Sequence, residues 1–440
     1  MRISLFLLGA LLVFASCESD LDQSPPNIAS SSSLTDYTGV LNAAYYYQIG
    51  SATPMAVMGD FRADNAKMFE PPFTEFDEFD SDLTTMDDQF FGPFYSALYK
   101  SILSTNNVIE NSESARQVGE AKFLRALSYF KLVRVFGDVP LNLEATPSVT
   151  DPDILVRQPA EEIYTTVIIP DLQEAIDVLD NGGLSNGRAT RLAAQSLLGK
   201  VYVQRGDFAA AEPVLAAAVS GAADAGVELQ ENYADVFGGA NDLNSEIIFA
   251  TQISSSIVDE YGFSEFWSWY GGLDTKALEP LDEDLIDAFG GRDSDDLRFT
   301  TVIDTSDFTS SNKYSQDGGP DHDWIELRLA DVILLLAEAR NETGASAGQV
   351  LDLLDPIRER AGLEPLSESD LTSQAAIRQA IQDERRLELA FEGQRWFDLV
   401  RTGTVNQEMD ATVDPNYFLF PIPVSEILSS FNVITQNDGY

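Results

Sequence analysis

Residues 192–219 constrain the fold more than any other stretch, because they read as two short helices folded back on each other. Leu198, Gly199 and Tyr202 fall on one face at helical spacing, Gly206 and Phe208 make the turn, and Ala211, Leu215 and Ala218 follow at offsets of four and three. Gly199, Ala211 and Ala218 lack bulk where two backbones must approach. Leu198, Tyr202, Phe208 and Leu215 fill the space between them. Pro213 removes a backbone donor inside the second helix, which can cost about 3 kcal/mol, so a kink is expected there. One hairpin cannot cover its own apolar face, and more helix pairs must stack on it.

These offsets are those of a tetratricopeptide repeat, and the rest of the chain supplies further pairs. Apolar residues recur at spacings of three and four over 34–49, 87–111, 115–136, 161–179, 188–205, 324–341, 347–360 and 373–401. Gly137-Asp138-Val139-Pro140 stops the third run, and the short gap at 111–114 folds it back on the second. Between 221 and 323 the regularity lapses into Gly, Asp and aromatics. The stretch 58–65 reads as a loop, 71–91 as an aromatic and acidic loop lying against the scaffold, and 417–422 and 436–440 as extended chain. The expected fold is mainly α, a tetratricopeptide-like helix-pair scaffold with a large irregular, loop-rich insert. Its parts are an N-terminal helical part at 34–220, the irregular insert at 221–323 and a C-terminal helical part at 324–440.

The N-terminus predicts an export signal over 1–16: Met1-Arg2, an apolar run over 3–15, then Ser16-Cys17. Cys17 is the single cysteine, so a disulfide within one copy is excluded. Ala15-Ser16-Cys17 resembles a bacterial lipobox with Phe14 in place of the usual Leu, which implies lipidation at Cys17. Residues 17–33 are polar and acidic and read as a tether. No later stretch is long and apolar enough to cross a bilayer.

Acidic side chains number 72 and basic ones 27, a net charge of −45 that argues against nucleic acid or an anionic membrane surface as partner. Such acidity also suits solubility in high salt. Catalytic chemistry is thinly supplied. The single His322, between Asp321 and Asp323, reads as a loop residue, and no Gly-x-Ser-x-Gly motif stands beside it. Asp293-Ser294-Asp295-Asp296 and the acids of 77–82 lack calcium-loop spacing and read as solvated surface. Gly238-Gly239 lacks the Lys-Ser or Lys-Thr of a phosphate cradle. No catalytic residue, cofactor or metal is therefore expected. Binding chemistry is better represented: Trp267, Trp269 and Tyr270 concentrate flat apolar faces with polar edges, suited to stacking on a sugar ring or, equally, to anchoring the insert on the helices.

Several blocks carry a resemblance to one family. Leu327-Arg328-Leu329-Ala330-Asp331-Val332, Ile357-Arg358-Glu359-Arg360-Ala361-Gly362-Leu363 and, above all, Glu384-Arg385-Arg386-Leu387-Glu388-Leu389-Ala390-Phe391-Glu392-Gly393-Gln394-Arg395-Trp396-Phe397-Asp398-Leu399 resemble the SusD/RagB family of outer-membrane nutrient-binding lipoproteins. So do the helix ending in Phe-Gly-Asp-Val-Pro, Phe420-Pro421-Ile422-Pro423, the Gln-Asn-x-Gly-Tyr terminus and the Asp64-Asn65 pair. Asp438 stands where the family has Pro, and Asp355-Pro356 replaces Leu-Asn.

The resemblance implies a non-catalytic, surface-exposed lipoprotein of the outer membrane that captures oligosaccharide and passes it to a SusC-like TonB-dependent transporter. Peptide cargo on the same scaffold, or a surface glycosidase, are the alternatives. Trp267, Trp269 and Tyr270, with Arg62, Asp64 and Asn65, are the candidate ligand-binding residues. Independently of the family, the rigid forks of Arg385, Arg386 and Arg395 are expected to lock neighbouring helices through carboxylates or carbonyls.

Overall fold

The computed structural model describes residues 34–79, 83, 86–147, 152–238, 242–256, 265–314, 319–409 and 411–440; the expected signal, Cys17 and tether lie outside them. Helices follow one another in a row, each packed on the next: α1 (Thr38–Tyr47), α2 (Gly92–Asn111), α3 (Ala115–Phe136), α4 (Ile169–Val178), α5 (Arg191–Gln204) and α6 (Phe208–Ala222). The insert follows, with the short helix α7 (Phe266–Tyr270), and the row then resumes as α8 (Leu329–Glu342) packs on α6 and α9 (Ala347–Arg360) on α8. The helices α10 (Gln374–Glu388) and α11 (Arg395–Thr402) complete the body. Helix accounts for 58% and strand for 4%, so the fold is mainly α, as the periodicity predicts.

The founding hairpin is α5 with α6. A Cβ on Gly199 would stand 2.2 Å from the Leu215 side chain, which is the close approach that the glycine permits. Leu198, Ala211, Leu215 and Ala218 are buried between the helices, and α6 runs through Pro213. Helix ends follow local chemistry. Ser114 accepts from the Gln117 N–H to open α3, Gly137 at φ +72° closes it, and Ser346 with Gln349 forms a capping box on α9.

Several expectations change. Residues 324–328 are not helix but strand. A short ladder, β1 (Val139–Pro140) with β2 (Arg157–Gln158), lies beside α3, while β3 (Ile247–Thr251) pairs antiparallel with β4 (Trp324–Arg328). That second pair stitches the insert to the scaffold, and its partner strand is 75 residues distant in sequence at Thr251 and Glu326, beyond the reach of local periodicity. The run 373–401 is two helices. They are separated by a turn in which Phe391 (φ +63°) and Gly393 (φ +67°) are left-handed. Of 58–65, expected as a loop, residues 58–61 belong to a buried π-helical turn (Val57–Phe61) and 62–65 are buried turns, with Gly59 so close to Gly393 that a Cβ there would lie 2.2 Å from the Gly393 carbonyl oxygen. At the C-terminal end, Pro415–Tyr417 is a 3-10 turn, where extended chain was expected from Tyr417 onward.

Ion pairs fasten the C-terminal block from inside. Arg328, buried, reaches Glu246 (2.8 Å), Glu388 (2.7 Å) and Glu392 (2.8 Å), and Arg298 reaches Asp296 (2.7 Å), Glu384 (2.6 Å) and Glu388 (3.1 Å). Asp296 is thus a buried partner and not solvated acidic surface. Arg385 joins Asp331 (2.8 Å) to Asp398 (3.1 Å), so the expected locking role of the arginines is observed.

Candidate functional site

The insert meets the scaffold at Asp60. Its carboxylate accepts from the Tyr270 hydroxyl (2.8 Å), the Gly393 N–H (2.6 Å) and the Asn65 carboxamide (3.1 Å), tying the π-turn, α7 and the α10–α11 turn together. Burial pushes Asp60 up to about 6 against the pull of those donors. The Tyr270 ring stacks on Phe61 (centroids 5.5 Å apart, planes at 9°) and on Tyr314 (6.0 Å, 20°). Trp269 packs edge-on against Phe61, Phe73 and Phe90.

Most of the residues expected to touch ligand are therefore inside. Trp269, Tyr270, Arg62, Asp64 and Asn65 are all buried, and as arranged they offer a ligand no surface. The Arg62 guanidinium lies over the rings of Phe79 (4.3 Å) and Phe76 (5.1 Å) and donates to the Phe76 carbonyl. Asp64 receives the Arg395 fork at 2.7 Å on each oxygen and Arg386 at 3.0 Å. These residues hold the site's framework. The physical reason lies in helix geometry: at positions i, i+3 and i+4 of α7, Phe266, Trp269 and Tyr270 share the inward face.

Trp267, turned from that face, is half-buried. Beside it runs an exposed apolar ledge. Leu273 is 46% exposed and its N–H donates to the Ser268 carbonyl; Leu278 is 44% exposed; Phe69 is 46% exposed and donates its N–H to the Lys276 carbonyl at 2.7 Å. Polar groups rim the ledge. The Lys276 ammonium sits 3.1 Å from Asp274 and 5.4 Å from the Trp269 ring, and the Glu265 N–H donates to the Thr53 hydroxyl at 3.2 Å. Burial, then the charge of Asp274, raises the Glu265 carboxyl above its usual range. The arrangement supplies apolar faces with carboxylate acceptors and an ammonium donor at their edges, which is equipment for holding a polyhydroxylated ring. Phe69, Leu273 and Leu278 were not singled out by sequence; Phe69 adjoins the aromatic and acidic stretch, and the two leucines carry no local signal.

Other clusters are accounted for structurally. A hollow beside α10 and α11 is lined by Arg385, Arg386, Arg395 and Arg401, but every one of these is paired with a carboxylate. Its volume, about 20 Å³, takes a water and no more. His322 is buried with its ring 5.7 Å from that of Tyr314. Among the described residues no group of three or more His, Cys, Asp or Glu is placed to hold a metal ion, and no helix is long and apolar enough to cross a membrane.

Comparison with known proteins agrees with this architecture. The family model described as "SusD family" matches residues 282–415, and that described as "Starch-binding associating with outer membrane" matches residues 14–203. A SusD-like protein of Formosa agariphila is 26% identical, with 98% of each chain covered. The starch-binding protein SusD of Bacteroides thetaiotaomicron is 26% identical, covering 78% of this chain and 76% of the relative. A solved laminarin-binding SusD-like protein superimposes with a TM-score of 0.70 at 25% identity, covering 92% of this chain and 99% of the other. With both ends of the chain matched, relatives aligned over nearly its whole length and the fold shared, the chain belongs to the SusD/RagB family.

Proposed function

We propose that this protein is a non-catalytic lipoprotein, anchored through Cys17 to the outer surface of the outer membrane, that binds oligosaccharide and delivers it to a SusC-like TonB-dependent transporter. The observation that carries this reading is the ledge of exposed Phe69, Leu273 and Leu278 beside half-buried Trp267, with Glu265, Asp274 and Lys276 close by, while Phe266, Trp269 and Tyr270 are packed inward. Apolar patches rimmed by polar groups on a soluble surface mark binding sites, and rings with flanking donors and acceptors suit a sugar. Support also comes from relatives named as starch-binding and laminarin-binding. Binding energy is then the whole of the chemistry.

Calorimetry against neutral, acidic and sulfated glycans tests the reading, with peptides as the competing cargo. Binding of at least one glycan with no release of shorter products is the expected result. Silence across the glycans, binding of peptides instead, or product release by the purified protein would overturn it.

A further inference from the structure

A second hollow, to whose lining α7 contributes no residue, lies where α1, the turn before α5 and the end of β3 meet. Its volume is about 230 Å³. Sites for drug-sized ligands run to about 300–1,000 Å³, so this one is sized for a single ring. Tyr45, Tyr46 and Phe249 line it with aromatic surface, Tyr45 and Phe249 lying 6.3 Å apart.

The polar edge is held in place before any ligand arrives. The Arg188 guanidinium lies 4.2 Å over the Tyr45 ring and donates to Glu120 (2.7 Å) and to the Asn42 carboxamide oxygen (2.7 Å). Glycine at 187 matters here. Its φ is +63°, and a Cβ would stand 2.7 Å from the carboxamide of Gln252, so that carboxamide lies across the glycine at the mouth of the hollow. Gln252 is exposed and presents both donors and an acceptor, the complement of sugar hydroxyls. Asn42 and Arg188, held to each other in this way, lose little freedom on binding.

The charge pattern selects among sugars. Arg188 is the one charged residue among the described residues lining the hollow, and Glu120 already balances it while also taking Arg116 at 3.0 Å. An acidic sugar finds no spare cation there, and the net charge of −45 repels it.

We propose that this hollow is a second carbohydrate site, taking one neutral pyranose ring stacked on Tyr46 with its hydroxyls on Gln252 and Asn42. The inference rests on the glycan-binding reading but concerns a surface separate from the Trp267 ledge.

The test is calorimetry of the full chain with short laminarin-derived and starch-derived oligosaccharides, on wild type and on Tyr46→Ala, Tyr46→Phe, Gln252→Ala and Trp267→Ala, each first checked for an unchanged melting temperature. Wild type is expected to show two sites per chain. Tyr46→Ala and Gln252→Ala should weaken one of them at least tenfold, Tyr46→Phe should keep it, and Trp267→Ala should weaken only the other. A single site lost in Trp267→Ala and untouched in Tyr46→Ala would overturn this inference and leave the function standing. Silence of wild type with every glycan would overturn both.

Discussion

At Glu388, burial favours the protonated carboxyl, yet Arg360, Arg328 and Arg298 outweigh it and hold the group down at about 2. Its contribution to stability is therefore complete above the ordinary glutamate range and is lost as pH falls towards 2. Asp323 behaves in the opposite sense. Burial pushes it up to about 7, although it accepts from the Ile253 N–H at 2.7 Å, and Asp242 and Asp321 add to the rise. A carboxyl whose folded value exceeds its unfolded one binds more protons when folded, so this group's contribution falls as pH rises from about 4 to about 7. Asp323→Asn, which keeps the acceptor and removes the charge, should therefore stabilise the protein at pH 7.5 by about 1 kcal/mol or more relative to its effect at pH 4.5, since one pKa unit is worth about 1.4 kcal/mol. Urea unfolding midpoints of wild type and variant at the two pH values check the sign; a larger gain at pH 4.5 would contradict it. Asp64→Ala strands the buried Arg395 without its bidentate partner and should cost about 3–5 kcal/mol in the same assay.

At this scale the arginines were legible in the sequence. Arg385, Arg386 and Arg395 lock neighbouring elements through carboxylates as expected, but their partners Asp331, Asp398 and Asp64 come from other elements and not from offsets of three and four. Trp269 and Tyr270 were not, because a five-residue helix has no inward side until Phe61, Phe73 and Tyr314 are placed around it.

The helices and turns show the same division between local and distant causes. Residues 115–136 and 347–360 were delimited correctly because their stops are written beside them in Ser114, Gly137 and Ser346. The strand at 324–328 predicts helix from sequence because its apolar pattern continues into α8, while its partner, β3, lies in the insert. Two glycines let the account be tested at this level. Gly59→Ala would drive a Cβ to 2.2 Å from backbone atoms of Gly393, whereas Gly199→Ala would drive one to 2.2 Å from the Leu215 side chain, which has some room to turn. Overpacking of the second kind costs about 1–3 kcal/mol. Gly59→Ala should cost more, and thermal unfolding of the two variants should rank them in that order; a milder Gly59→Ala would show that the π-turn and the α10–α11 turn are not rigidly seated.

Across the whole molecule, the row of helices from α1 to α9 is parted between α6 and α8 by the insert, which carries Trp267, Leu273 and Leu278 of the ledge, while Phe69 comes from the connection between α1 and α2. The helix pairing was foreseeable from a single hairpin, since one uncovered apolar face demands the next. The site was not, because the ledge of Phe69, Leu273 and Leu278 beside Trp267 is a property of two segments, one at Phe69 and one from Trp267 to Leu278, brought together by backbone hydrogen bonds such as that of Phe69 to Lys276. The net charge of −45 adds a prediction at this scale: sulfated glycans should bind more weakly than neutral ones of equal length, with the gap narrowing as salt is added. Titrations at low and high ionic strength read this directly, and tighter binding of the sulfated series at low salt would contradict it.

The most direct measurement is a calorimetric titration of the best-bound neutral oligosaccharide into wild type and into Trp267→Ala and Phe69→Ala, with melting temperatures recorded alongside. The ledge predicts at least a tenfold loss of affinity in both variants with folding intact. Wild-type affinity retained in both would contradict it.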